Sequence, residues 1–312
     1  MGNTSKRDIA LQELKASQTC ELLDFLVEQK VRKSRNAVKS LLAHKQIKVN
    51  GKLITQYNHE LHKGDNVSVM KFDQSRKEKR LQGLKIVFED DDIIVVDKEP
   101  GFLSVSTDKE KVRTAYGMLN EYVKKKNKNA RVFVVHRLDR EASGLLVFAR
   151  SAELQEMFQK NWNSLVKSDT YSVVVEGELE EKEGSIVSWL TENKNFVMMS
   201  SSYDNGGLKS ITHYKLIKST GRYSLLDLEL ETRRKNQLRI QMQSIGHPVV
   251  GDKKYGASNN PIKRIALHAR EIIIKHPFTG ETLEFKSSIP KSIQQLVTTP
   301  PAVKKENTEI QK

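Results

Sequence analysis

The sequence predicts an α+β protein in two units, and three observations carry that expectation. Helical periodicity and strand alternation are segregated along the chain rather than strictly interleaved. A charged stretch poor in core residues, 72–83, divides a short basic segment from a long one. The 312 residues are enough for two domains, one of which can bury a sizeable core.

The elements follow in order. Residues 1–15 are polar and read as a flexible start, leaving 16–71 as the first unit. From Glu21 the pattern is helical, with Leu22, Leu23, Phe25 and Leu26 on an apolar side. Ser34 reads as the N-cap of a second helix that turns Ala37, Val38, Leu41 and Leu42 inward and leaves Arg35 and Lys39, four apart, on an exposed face beside Arg32 and Asn36. Ile47 to Lys52 alternates and holds an Asn50-Gly51 hairpin signal, and Leu61 to Met70 reads as a strand pair turning at Gly64-Asp65. The second unit, 84–290, opens with a hairpin, Ile86 to Phe88 and Ile93 to Lys98, around the acidic turn Glu89 to Asp92. Helices are expected over Thr114 to Lys125 and Ala152 to Trp162. Strands dominate afterwards: Tyr171 to Glu176, Ser210 to Lys218, Tyr223 to Glu231, Ile265 to Ala269 and Ile272 to Lys275. The end, 291–312, is low in apolar residues and reads as a disordered tail.

Charge narrows the partners. The chain carries a net charge of +14, and residues 1–83 hold 17 basic against 9 acidic side chains, so the excess is concentrated where the chain starts. Such a balance favours polyanions, above all nucleic acid, over neutral small substrates. No apolar run approaches the length needed to cross a bilayer, and the polar Met1 to Ala10 is not expected to act as a secretory signal. Cys20 is the single cysteine, which excludes an intramolecular disulfide and a cysteine-based zinc site and suits a reducing, cytoplasmic compartment. His247, His268 and His276 match no zinc spacing and read as turn or packing residues.

The most informative stretch is His136-Arg137-Leu138-Asp139, running on through Arg140 to Ser143-Gly144-Leu145-Leu146-Val147-Phe148-Ala149-Arg150. An apolar run, Val132 to Val135, delivers an aspartate flanked by two arginines into a polar turn, and a second apolar run leads away. This stretch resembles the signature HRLDxxTSGLLLxAK of the RluA-type pseudouridine synthases, with Ala142 in place of Thr. The resemblance continues along the chain. Leu84 to Gly101 is similar to the opening hairpin of that family, Ile245 to Gly256 to its GHPILGDxxYG turn, and Leu267-His268-Ala269 to its LHA element. Residues 20–70 resemble the alpha-L RNA-binding motif of the ribosomal protein S-four type.

The resemblance implies an α+β catalytic unit built on a long, mixed, mostly antiparallel β-sheet flanked by helices, with a small amino-terminal α/β RNA-binding domain. It implies that Asp139 is the nucleophile in the isomerisation of uridine to pseudouridine. Tyr171 corresponds to the tyrosine of a K-x-Y element that packs against the target base, although Asp169 stands where the family has Lys. Arg239 corresponds, in a run the family writes TGRTHQIRVHL, to the arginine that pairs with the nucleophile. Arg233, Lys235, Asn236 and Gln241 depart from that run. Arg137 is the residue expected to enter the RNA stack, and Arg32, Arg35, Lys39 and Lys48 are expected to face RNA.

Breaking N1–C1′ and forming C5–C1′ involves no net oxidation or group transfer, so no cofactor or metal is expected. The expected partner is RNA, ribosomal RNA above all, with no membrane association and a monomer as the default. Transfer RNA remains open as a substrate. So does a non-catalytic RNA-binding or ribosome-assembly factor that retains the fold, although Asp139, Tyr171 and Arg239 together count against a pure binder. A methyltransferase would need a glycine-rich cofactor loop after a strand, and the sequence has none.

Overall fold

A computed structural model describes residues 10–32, 35–43, 45–70, 79–106 and 114–298 of the chain. The first unit contains β1 (Ala10–Lys15), β2 (Cys20–Glu21), α1 (Leu22–Glu28), α2 (Arg35–Ala43), β3 (Ile47–Val49), β4 (Lys52–Leu53), β5 (Glu60–Leu61) and β6 (Asn66–Met70). Leu22, Phe25 and Leu26 of α1 and Val38, Leu41 and Leu42 of α2 share one apolar core with Ile47, Val49, Val67 and Val69 from the strands. That spacing is the reason both segments are helical: each places its apolar side chains on one face, and neither helix is long enough to persist without the packing. Asn50 and Gly51 take positive φ, 48° and 79°, and close β3 onto β4. Ser34 and the side chains of Asn36 and Ala37 lie outside the described residues.

Two expectations for this unit are corrected. Residues 10–15 are a strand, β1, paired antiparallel with β6, so the start of the fold lies inside the segment expected to be flexible. The expected strand pair across Gly64-Asp65 does not form. β5 pairs with β2, while β6 lies between β1 and β3. Alternation identifies the buried face of a strand but not its partner.

The second unit begins earlier than expected, with β7 (Lys79–Leu81) paired to β8 (Leu84–Glu89), so a linker over 72–83 is corrected at its end. It continues through β9 (Ile93–Lys98), α3 (Ala115–Lys126), β10 (Phe133–Val134), β11 (Ser143–Ala149), α4 (Ala152–Lys160), α5 (Trp162–Leu165), β12 (Val166–Glu176) and β13 (Glu183–Glu192). There follow β14 (Met198–Ser201), β15 (Leu208–Ser219), β16 (Tyr223–Leu230), α6 (Gln237–Ser244), β17 (Leu267–Lys275), β18 (Thr282–Lys286) and α7 (Lys291–Gln295). Among the described residues twelve strands form one sheet, in the order β14-β13-β15-β16-β12-β17-β11-β9-β8-β7, with β10 added to β11 and β18 to β17. Every pair is antiparallel except β11 with β17. The mixed, mostly antiparallel sheet expected of the chain is therefore present.

The centre of the sheet is buried on both faces. Along β9 and β11, Ile94, Val96, Leu146 and Phe148 enter one core with α3, while Ile93, Val95, Leu145 and Val147 enter the other with α4. This explains the unbroken apolar runs of those strands, because alternate residues both find cover. Ile265 to Ala269 and Ile272 to Lys275 belong largely to one strand, β17. At the end, Ile293 of α7 and Val297 are buried in the main core, so the fold extends past 290 into the segment expected to be a tail. Residues 299–312 lie outside the described residues.

Candidate active site

The aspartate loop is short and tied at both ends. β10 holds only Phe133 and Val134, after which residues 135–142 lead to the start of β11. Ser104 Oγ donates to the Leu138 carbonyl at 2.7 Å and accepts the Leu138 N–H at 3.0 Å. On the other side of Asp139, Lys98 Nζ, wholly buried, donates to the carbonyls of Ala142 at 2.6 Å, Phe102 at 2.9 Å, Glu99 at 3.1 Å and Arg140 at 3.3 Å. The Gly101 N–H donates to the Arg140 carbonyl at 2.8 Å. One ammonium thus holds the backbone on the far side of Asp139 to the loop that follows β9. Its burial lowers its pKa from 10.5 to about 7.

His136 is buried beneath the loop. Its Nε2 accepts the Val147 N–H at 3.1 Å, and burial together with the charge of Arg233 keeps its pKa well below 6.5. A neutral imidazole is what that acceptor role requires. Arg137, next along, is exposed.

Arg239 reaches Asp139 from α6. The alternation Gln237-Leu238-Arg239-Ile240-Gln241-Met242 is compatible with a basic surface strand, but the segment is a helix and all six side chains are buried. Its polar residues are satisfied inside the protein. Gln241 Nε2 donates to Ser188 Oγ at 3.0 Å and to the Ser210 carbonyl at 3.0 Å, and its Oε1 accepts from Thr212 at 2.6 Å. Arg239 Nη1 donates to Asp139 Oδ2 at 2.8 Å, while Nε and Nη2 donate to the two oxygens of buried Asp252 at 2.5 and 2.7 Å. The guanidinium carbon lies over the Tyr255 ring, 5.0 Å from its centre. Burial opposes the charge of Arg239, but the bonds to Asp252 and the negative charges of Asp139 and Asp252 outweigh it and raise its pKa.

Asp252 and Tyr255 are residues at this site that the sequence did not single out, and Asn236, which it marks only as a departure from the resembled run, is a third. Asp252 and Tyr255 stand in the Ile245–Gly256 run, which by resemblance adds no chemistry but here orients the arginine. Asn236, at φ 55°, lies between Asp139 and Tyr255. A carboxylate only accepts, so the amide nitrogen faces it, donating to Asp139 Oδ2 at 3.1 Å while Oδ1 accepts from the Tyr255 hydroxyl at 3.0 Å. The carboxylate therefore has a guanidinium and an amide as donors and is about a third exposed.

Tyr171, on β12, is buried in the main core, and burial together with the charge of Asp139 raises its pKa. The four residues expected to face RNA divide. Arg35 is paired with Asp24 at 2.7 Å, Lys39 is exposed with its ammonium 5.6 Å from the centre of the Tyr57 ring, and Lys48 is half-buried on β3. Arg32 instead points at Glu281 of the second unit, at 3.5 Å. His247 and His268 hydrogen-bond Glu176 O and Ser143 Oγ at 2.9 Å, and His276 faces Asp90 and Asp92 at the β8–β9 turn. Among the described residues no helix is long and apolar enough to cross a membrane.

Comparison with known proteins gives the family. Residues 92–244 match the RNA pseudouridylate synthase family and residues 22–67 the S4 domain. The chain is 32% identical over 236 residues to tRNA pseudouridine synthase C of Vibrio parahaemolyticus, covering 69% of this chain and 94% of that one. It is 31% identical over 234 residues to ribosomal large subunit pseudouridine synthase D of Nitrosomonas europaea, covering 72% and 67%. Among solved structures, human RNA pseudouridylate synthase domain containing 4 shares the fold at a TM-score of 0.55 and 20% identity, covering 68% of this chain and 92% of that one. With the sequence matches spanning both units, the chain belongs to the RluA-type RNA pseudouridine synthases and carries an S4 RNA-binding domain ahead of the catalytic one.

Proposed function

We propose that this pseudouridine synthase isomerises specific uridines of structured RNA, large-subunit ribosomal RNA first, with Asp139 as nucleophile. The observation that carries the reading is the Asp139 carboxylate itself, fixed on a loop tied at both ends and paired at 2.8 Å with an arginine whose other edge is held by Asp252. A flipped uridine presents C1′ and the base to the carboxylate. Asp139 attacks C1′ as N1–C1′ breaks, the uracil anion turns, C5 displaces the carboxylate from C1′ as C5–C1′ forms, and the C5 hydrogen leaves as a proton while N1 takes one up. Arg239 and Asn236 hold the carboxylate and aim it. Tyr171 offers the detached base an aromatic wall, and Arg137, exposed beside the nucleophile, enters the stack or holds a phosphate. Atoms and charge balance without a cofactor or metal, and one copy of the chain carries all these groups.

Ribosomal RNA is favoured by the large-subunit enzyme among the relatives and by the S4 domain, whose Arg35, Lys39 and Lys48 supply affinity. Arg32, engaged by Glu281, fits a docking role better than an RNA contact. The tRNA enzyme among the relatives supports transfer RNA as a second reading. Tritium release from large-subunit ribosomal and transfer RNA labelled at uridine C5 separates the two. Asp139→Asn should abolish release, by about 10³-fold or more, with RNA binding retained. Release undiminished in that variant would remove Asp139 from the role.

A further inference from the structure

Two departures from the resembled pattern, far apart in sequence, meet in space. Asp169 and Tyr171 are two residues apart on β12, and both are buried. Arg233 lies on the loop between β16 and α6, and its Nη2 pairs with Asp169 Oδ2. The same Nη2 donates to the Tyr171 hydroxyl at 3.4 Å, and that hydroxyl lies 3.5 Å from Asp169 Oδ2, both at the long end of hydrogen bonding. The guanidinium is supported from below by Trp162, whose ring centre is 4.1 Å away. Trp162 in turn meets His136 edge-on, with ring centres 5.1 Å apart. A continuous set of contacts thus runs from the aspartate loop, through α5, to the tyrosine strand.

We infer that Asp169 and Arg233 form an ionic clamp that fixes the Tyr171 phenol beside the catalytic aspartate, making both positioning residues for the isomerisation. The inference rests on the proposed role of Asp139 as nucleophile. Its physical basis is that a buried carboxylate is tolerated only with a partner, and a buried arginine likewise, so each holds the other in place. The phenol accepts from the guanidinium and donates to the carboxylate, which leaves its ring one orientation. The charge on β12 is the reverse of the lysine in the resembled pattern, and the arginine that replaces a glycine supplies the compensating cation. The two positions therefore function as a pair, and neither departure is workable alone.

Rescue tests this. Asp169→Lys, Arg233→Gly and the double variant are compared with the intact chain for single-turnover tritium release from whichever labelled RNA, ribosomal or transfer, the intact protein turns over best. Filter binding to that RNA and the melting temperature are measured alongside. Each single variant should slow release by about 10- to 100-fold with RNA affinity within about threefold, and the double variant should recover to within about fivefold of the intact protein. In a Tyr171→Phe background, which has no hydroxyl to hold, Arg233→Gly should cost little further. Where a single variant fails to fold, Asp169→Asn supplies the same comparison without adding a cation. Loss without rescue, loss that follows affinity or melting temperature alone, or an Arg233→Gly cost undiminished in Tyr171→Phe would overturn the clamp. Asp139→Asn is assayed in parallel, so a failure of the nucleophile assignment shows separately.

Discussion

Lys98 shows how much a single side chain contributes to a site it never exposes. Its ammonium meets four carbonyl oxygens, two of them on the aspartate loop, in a place where an unpaired charge would not survive. Lys98→Met keeps most of the volume but orphans those carbonyls, so it should cost about 3 kcal/mol of stability by urea unfolding and slow release with little effect on RNA affinity. The pH dependence has a definite sign. The lysine titrates near 10.5 in the unfolded chain and near 7 in the fold, where burial disfavours its charge. Between those values the unfolded chain holds a proton that the folded one has released. Stability relative to Lys98→Met should therefore rise across that window, by up to about 1.4 kcal/mol per pH unit, and be level below pH 7. A difference that falls with pH would refute the assignment. In the sequence Lys98 is legible only as the end of the opening hairpin, because the carbonyls it serves lie as far as 44 residues away.

At the scale of elements, the aspartate loop runs into the one parallel pairing of the sheet among the described residues. β11 meets β17 only at Ser143 opposite His268 and Gly144 opposite Ala269. Gly144 has φ +111°, and a Cβ there would stand 2.2 Å from the Ala269 carbonyl oxygen. Both the dihedral and the close approach exclude any side chain. Gly144→Ala should therefore lose about 3–5 kcal/mol in urea unfolding and carry the loop away from Arg239, a cost that a glycine in an ordinary strand would not show. Most of the elements were legible in the sequence: α3 is capped by Thr114, whose hydroxyl accepts the Gly117 N–H at 3.0 Å, and β8–β9 turns on the acidic segment as expected. The segment carrying Arg239 was harder. Its period-two alternation suggests a strand, and it becomes a helix because β13 and β15 offer hydroxyls and carbonyls that satisfy its buried glutamines.

For the whole molecule, the two units have separate apolar cores, and the described polar contact between them centres on Glu281. Gln46 Nε2 donates to both its oxygens, at 3.2 and 3.3 Å, and Arg32 to one of them. Because β7 belongs to the catalytic sheet, the cut that separates the units falls before Lys79. Removing residues 1–70 should leave the melting transition of the catalytic unit in place, weaken RNA binding by about tenfold or more near physiological salt and flatten its salt dependence. Unchanged affinity and slope would show that the S4 domain does not supply the electrostatic attraction.

The family, the division of the chain into two units and the identity of Asp139, Tyr171 and Arg239 as candidates were present in the sequence by itself, because each is signalled by residues that are neighbours along the chain. The order of the twelve strands, the hold of Asp252 on Arg239, the turn of Arg32 toward Glu281 and the meeting of Asp169 with Arg233 were decided only by the tertiary structure. Local patterning fixes which face of an element is apolar. Charge and hydrogen-bond partners are chosen by burial, which forces each enclosed polar group to find whatever complement the folded chain brings within reach.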